Sequence, residues 1–324
     1  MRSLTTKILL VLLIVVLTMY GWQWGRSYQP RLSSLEKESV QRLEETVAFF
    51  STYLGTRDYN NYPVLNSAAD YIADKFVEMG YTVIEQTYEI DGNKYRNIIA
   101  RATAEERLGE ELILVGAHYD SMDNPGADDN ASGIAVMLEV ARLLRRDPAV
   151  INFKFVAFTN EEPPFFKTPD MGSQVYVKQA WDNGERLKLA VILEMVGYYK
   201  DCYFGQRYPL FYGPFFPNRG NFIAMISNYA SRNSAFRFFK LFRQGSNFPV
   251  TFAKLSGVLA GVEWSDHISF WQKDYPAVML TDTAFYRNPN YHRNTDIAET
   301  LDFPRMTKLA YGLQKALLAL AAER

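Results

Sequence analysis

The sequence predicts an α/β fold, an open and largely parallel mixed sheet with helices on both faces, preceded by an N-terminal hydrophobic anchor. Three observations predict it. Helical and strand patterns alternate along most of the chain, several strand patterns are near-continuous apolar runs, and an apolar run follows a basic N-terminal flank.

That flank, "MRSLTTK", carries Arg2 and Lys7, and Ile8 to Met19 is apolar apart from Thr18. No A-x-A-like cleavage site follows, and Tyr20, Trp22 and Trp24 are the aromatic residues expected at a membrane interface. Residues 1–29 are therefore read as an uncleaved signal anchor. A cleaved secretory signal is the alternative, because a spanning helix usually needs about 20 apolar residues. Either reading puts the remaining chain, 30–324, in a periplasmic or extracellular space. No cysteine just after the run supplies a lipoprotein anchor.

From Pro30 onward, Leu35 to Gly55 and Ser67 to Gly80 show helical periodicity and finish in glycine, a common helix stop. "YTVIEQTYEI" and "YRNIIARA" alternate as two strands around the turn "DGNK". "ELILVGAHYDS" reads as a buried strand, "SGIAVMLEVARLLRR" as a helix, and "INFKFVAFTNEE" and "LKLAVILEMVGY" as further strands. "PAVMLTD" is one more strand, and "PRMTKLAYGLQKALLALAAE" a closing helix with proline at its start. There is no internal repeat, linker or low-complexity tract, so 30–324 is read as one domain.

Composition limits the function. Thirty-five Lys and Arg against 36 Asp and Glu give a net charge of -1, so there is no electrostatic case for a general nucleic-acid partner. The single cysteine, Cys202, excludes an intramolecular disulfide and a Cys-based zinc cluster. Any metal must sit on His, Asp and Glu.

In open α/β sheets the binding crevice lies outside the carboxyl ends of the strands. Three successive strands release His118 and Asp120, then Glu161 and Glu162, then Glu194 at such ends. Carboxylates gathered there repel one another and lose solvation unless a cation compensates them. The three histidines, His118, His267 and His292, all lie in acid-rich segments, "AHYDS", "WSDHISF" and "NYHRNTD". Neutral imidazole beside carboxylate suits zinc, which makes His118 and His292 candidate ligands. Asp120 and Asp296, two and four residues after them, are candidate acceptors that hold each ring in its ligating tautomer.

The segments "GAHYDS", "PGADDNASG", "NEE", "LEMVGY", "SDHISF" and "NPNYHRNTD" resemble, in this order, the co-catalytic zinc aminopeptidases of peptidase clan MH, relatives of glutamate carboxypeptidases and glutaminyl cyclases. The resemblance spans about His118 to Asp296 and implies a zinc-exopeptidase fold holding two zinc ions, with manganese or cobalt as other possible occupants. It implies metal ligation by His118, Glu162, Glu194 and His292, and by Asp129 of the D-x-x-S-G pattern as the bridge between both ions. Asp128 is then not a ligand, and the division of the other ligands between the ions stays open. Glu194 stands where many members have Asp. The resemblance makes Glu161 the general base and puts Asp266 and His267 near the substrate; Asp120, read from its place beside His118, is grouped with Glu161 in the catalytic set. His267 as a hydrogen-bonded core residue is an equal reading.

Three local features have competing readings. Asp129 or Asn130 suits the N-cap of a helix beginning near Ala131, and small Ala131, Ser132 and Gly133 would let backbone approach the metals. Asn130-Ala131-Ser132 matches the glycosylation pattern, which is discounted because a sugar there would block the site. The aromatic stretch from Gly197 to Phe222 either walls a specificity pocket for bulky apolar side chains or packs a loop onto the domain. Cys202 within it is read as inert.

The function expected is a metal-dependent aminopeptidase acting on peptides. The alternatives are a glutaminyl-peptide cyclotransferase, a carboxypeptidase variant and an inactive membrane-anchored binding protein. "DDNASG" and a complete ligand set weigh against the first and last. No clear basic cluster is seen for the carboxylate that a carboxypeptidase must recognise.

Overall fold

The computed structural model describes Thr6 and residues 28–103, 111–209, 212–255 and 257–323. Its frame is one eight-stranded sheet. The strands are β1 (Thr82–Ile90), β2 (Asn93–Arg101), β3 (Glu111–His118), β4 (Phe153–Phe158), β5 (Arg186–Glu194), β6 (Ile223–Ser227), β7 (Val250–Lys254) and β8 (Ala277–Thr281). Their order across the sheet is β1-β2-β4-β3-β5-β8-β6-β7. The β3–β4, β3–β5, β5–β8 and β6–β7 pairs are parallel. The β1–β2, β2–β4 and β6–β8 pairs are antiparallel, so the sheet is more evenly mixed than its apolar strands suggest.

Seven helices cover the sheet among the described residues: α1 (Ser34–Ala48), α2 (Tyr62–Glu78), α3 (Gly133–Leu144), α4 (Gly172–Asp182), α5 (Arg232–Gly245), α6 (His267–Gln272) and α7 (Phe303–Ala321). Period-two alternation divides the central strands between two cores. On β4, Phe153, Phe155 and Ala157 join one apolar cluster, and Val156 and Phe158 join the other. Buried residues of α1, α2, α3, α5 and α7 complete the first cluster. Tyr176, Val177 and Ala180 of α4, with Ile268, Phe270 and Trp271 of α6, complete the second. Both faces are therefore helix-covered, which is why β3, β4 and β5 read as apolar runs.

The expected elements are present with shifted ends. Ser33 and Glu36 form a reciprocal capping box at the start of α1. The helical path continues beyond Ala48 through a wider π-type turn to Leu54, and Gly55 ends it at φ 73°. α2 begins at Tyr62 rather than Ser67, because Pro63 in its first turn is preorganised for a helix start. β6, β7, α4, α5 and α6 were not anticipated. β6 and β7 are only five residues each, too short for periodicity to stand out. The apolar run from Ile8 to Met19 lies outside the described residues. Among the described residues no helix is long and apolar enough to cross a membrane.

Arg57, absent from the sequence expectations, is wholly buried behind the carboxyl end of β3. Its guanidinium donates to the carbonyls of Phe50, Gly55, Tyr119, Pro125 and Gly126 at 2.6–3.0 Å. Burial pulls its pKa down to about 10, opposed by Asp120, Asp296, Asp129 and Glu162, and it stays charged. The Arg57→Met variant leaves five carbonyls without this donor, so a loss of about 3 kcal/mol is expected in denaturant unfolding. An unchanged midpoint would refute this role.

Candidate metal centre

The carboxyl ends of three neighbouring parallel strands meet at one place. β3 ends in His118, Glu161 and Glu162 lie just beyond β4, and β5 ends in Glu194. Two loops complete the cluster, with Asp129 ahead of α3 and His292 after β8. His118 Nε2 lies 3.3 Å from Asp129 Oδ1, 3.4 Å from Glu194 Oε2 and 3.9 Å from Glu161 Oε2. His292 Nε2 lies 3.2 Å from Asp129 Oδ2 and 3.5 Å from Glu162 Oε1. Asp129 thus turns one oxygen toward each histidine. The geometry separates the groups that sequence left undivided: His118, Asp129 and Glu194 form one, and Asp129, Glu162 and His292 the other. Within each, the candidate ligand atoms lie within 4.8 Å of one another.

These atoms fit cations. His118 Nε2 and Glu162 Oε1 are buried without a hydrogen-bond partner, a costly arrangement that a cation resolves. Without one, protons must compensate. Burial pushes the Glu162 carboxyl up to about 7, with Asp129 adding to the rise. Burial also raises Glu161 well above the usual carboxylate range, reinforced by Glu162 and Glu194 against the pull of His118. His292 rises to about 10, because Asp129 and Glu162 outweigh its burial.

The surrounding residues sort the sequence candidates. The Asp120 carbonyl faces His118 Nδ1 at 3.2 Å with the carboxylate Oδ1 3.4 Å away, and Asp120 Oδ2 accepts from the Glu162 amide at 3.0 Å. Asp120 orients one candidate ligand and the backbone of another. Asp296 differs from expectation: its two oxygens accept from the Asp128 and Asp129 amides at 3.0 and 3.1 Å. It holds the bridging loop rather than the His292 ring, because the loop's free amides face it. Asp128 accepts from the Gly197 amide and from Asn288 Nδ2 at 2.8 and 2.7 Å, so its carboxylate is taken up by the scaffold.

Asp266 is buried near the cluster, with its carboxyl pushed up to about 7 by burial against the pull of His118. His267 takes the core role of its two readings. Its Nε2 donates to the Val262 carbonyl at 2.7 Å, its ring meets Trp271 edge-on, and burial lowers its pKa to about 4. Two contacts escaped sequence reasoning. Ser265 Oγ donates to Glu194 Oε2 at 2.6 Å, and the Tyr291 ring stacks on His292 with centroids 3.8 Å apart. Both residues sit in quoted segments, but nothing in their spacing points to these partners.

The loop before α3 carries the side-chain cap expected of Asn130. α3 begins at Gly133, where the Asn130 Oδ1 accepts from the Gly133 amide. A Cβ on Gly133 would lie 2.4 Å from that oxygen, so this glycine makes room for Asn130. Asn130 also bonds the Leu193 carbonyl and the Met195 amide, tying the loop to the end of β5. Its complete burial agrees with discounting glycosylation there. Gly126 turns the chain at φ 57°, where a Cβ would lie 2.4 Å from the Asp129 carbonyl.

Beside Glu194 opens a cavity of about 110 Å³, walled by Tyr208, Phe216, Phe222, Trp264, Phe285 and Tyr291 among others. Tyr208, Phe216 and Phe222 come from the aromatic stretch, so the pocket-wall reading holds for them. Tyr199 packs against the first core, as the loop-packing reading requires. Cys202 is exposed and free.

The model of peptidase family M28 matches residues 97–316, a span that contains every residue of this cluster. The chain belongs to peptidase family M28. Over 301 residues it is 36% identical to the uncharacterized protein YfbL of Escherichia coli, covering 88% of this chain and 91% of that one. It is also 36% identical to the aminopeptidase YwaD of Bacillus subtilis, over 32% of this chain and 22% of that protein. Among solved structures, the LapA aminopeptidase of Legionella pneumophila superposes with TM-score 0.68 at 21% identity, over 92% of this chain and 78% of LapA. A glutaminyl cyclase of Porphyromonas gingivalis superposes with TM-score 0.62 at 19% identity, over 88% of this chain and 98% of the cyclase. These two structures share the fold, one as an aminopeptidase and the other as a glutaminyl cyclase. The distinction between them rests on side chains.

Proposed function

We propose that this M28 member is a two-zinc aminopeptidase, with His118 and Glu194 on one ion, Glu162 and His292 on the other, and Asp129 between them. The observation that carries the reading is the division of Asp129's oxygens between two separate His/carboxylate groups. A cyclase using a single ion leaves the second group without purpose. When bound, the ion pair lowers the pKa of a water and polarises the scissile carbonyl.

The chain's own residues supply the rest. Glu161 and Glu162 follow one another yet face different histidines, at 3.9 and 3.5 Å. One carboxylate is thereby free to move protons while the other ligates. Glu161 takes the proton of the attacking water and returns it to the leaving amine. The Asp120 carbonyl keeps His118 in register, and Asp296 fixes the loop that presents Asp129. The cavity beside Glu194 receives the N-terminal side chain and favours large apolar ones. Residues 1–29 anchor the domain in a membrane, with the site on the periplasmic or extracellular side.

The test is a panel of aminoacyl-anilides, their N-acetylated forms, and a peptide with N-terminal glutamine. Hydrolysis of free-amine leucyl and phenylalanyl substrates, with the acetylated forms untouched, is expected. Cyclisation of glutamine without anilide hydrolysis would replace this reading with the acyltransferase one. Replacing Asp296 by Ala is expected to weaken metal retention roughly 10- to 100-fold, as loss of a supporting partner typically does. Unchanged affinity in a zinc-competition titration would remove Asp296 from the site's support.

A further inference from the structure

Charge is unevenly placed along this nearly neutral chain. From residue 202 to residue 262 there is no Asp or Glu, whereas seven Lys and Arg occur; the acidic excess lies elsewhere. Four of the seven, Arg232, Arg237, Lys240 and Arg243, are exposed on α5. Arg237 pairs with Glu323, but Arg232, Lys240 and Arg243 make no ion pair among the described residues. Lys254 of β7, the neighbouring edge strand, adds another exposed cation.

Aromatic rings are interleaved with these charges. Phe236 and Tyr229 are 44% and 61% exposed. Lys240 lies over the Phe236 ring, Arg243 over Phe239, and Lys254 over Tyr229, at 4.2–5.6 Å. The opposite side of α5 buries Ala235, Phe238, Leu241 and Phe242 in the core. The helix is thus held rigidly with a basic and aromatic side turned outward. Such a surface matches the headgroup region of an anionic bilayer, where cations meet phosphates and rings settle at the boundary.

The path of the chain points to the same occupant. Tyr28 packs edge-on against Phe248, three residues beyond the end of α5, and its carbonyl accepts from Arg305. Tyr28, the residue that follows the apolar N-terminal stretch in sequence, therefore lies near the end of this helix.

We propose that the α5–β7 face rests on an anionic phospholipid bilayer. This contact is separate from the metal centre and does not depend on the reaction performed there. It sets the orientation of the domain, with β7 near the lipid and β1, at the other edge of the sheet, away from it.

The experiment uses the full chain with Cys202→Ser and one new cysteine, Asn233→Cys on the exposed side of α5 or Glu89→Cys on β1. Each carries an environment-sensitive fluorophore. The protein is reconstituted into phosphatidylcholine vesicles with or without phosphatidylglycerol and probed with acrylamide, a neutral quencher. The label at position 233 is expected to lose quenching only with phosphatidylglycerol, and to regain it at high salt. The label at position 89 remains quenched throughout. Arg232→Glu, Lys240→Glu and Arg243→Glu together are expected to abolish the protection, with an unchanged melting temperature showing that the domain remains folded. Equal quenching at position 233 in both vesicle types would overturn the proposal. Equal protection in both would also overturn it, because proximity without charge would then suffice.

Discussion

Replacing Glu161 by Gln is expected to lower kcat about 10²- to 10⁴-fold while the metal content remains unchanged. The amide preserves the size of the side chain but accepts no proton from water. Glu161 suits the role because burial, with Glu162 and Glu194 nearby, raises its proton affinity above that of an ordinary carboxylate. Bound cations will lower that affinity again, leaving a carboxylate that can take a proton and release it. The variant should keep its KM for a leucyl-anilide, since the apolar wall of the cavity is untouched. Metal analysis beside steady-state kinetics distinguishes the outcomes. Wild-type kcat would exclude Glu161 as the base, whereas loss of metal would make it a ligand.

Removing metal is expected to abolish hydrolysis and also to destabilise the fold. At a metal concentration about 1,000 times Kd, binding to the native state contributes about 4 kcal/mol. For a chain of this size, chelation should lower the melting temperature by an amount on the order of 10 °C. The physical cause is the burial of Asp129, Glu161, Glu162 and Glu194 together, which requires compensating positive charge. Protons supply it in the metal-free protein, so its stability should fall as pH rises. His292, raised from 6.5 to about 10, contributes stability fully below 6.5 and loses it as pH rises through 10. Glu162, raised from 4.5 to about 7, disfavours folding by an amount that grows between those two values and is constant above about 7. Both shifts widen the gap between metal-loaded and metal-free protein up to about pH 7, and His292 alone widens it further above that. Thermal melts with and without chelator between pH 6 and 9 measure that gap; a pH-independent difference would contradict this charge balance.

Much of this site was legible because its ligands stand at the ends of apolar strands. A run such as "LILVGAH" must be buried, and the polar residue that ends it must lie at the sheet's edge. His118, Glu161, Glu162 and Glu194 could be gathered by that rule, His292 by its acid-rich segment, and Asp129 by the family resemblance. The short strands β6 and β7 escaped because five residues hold too little periodicity. The role of Asp296 was misplaced because proximity in sequence to His292 suggested a partner, whereas folding presented it with amides 167 and 168 positions away.

The sequence by itself determined the α/β class, the edge of the sheet where chemistry gathers and the residue types available to hold a metal. These follow from local hydrophobic pattern and the geometry of strand ends. Tertiary structure alone decided how Asp129 divides its oxygens, that Ser265 supports Glu194 from 71 residues away, and that Arg57 joins carbonyls up to 69 residues distant. Those contacts depend on where separate loops come to rest after the strands have paired, and a buried polar atom takes whichever partner the packing brings within reach.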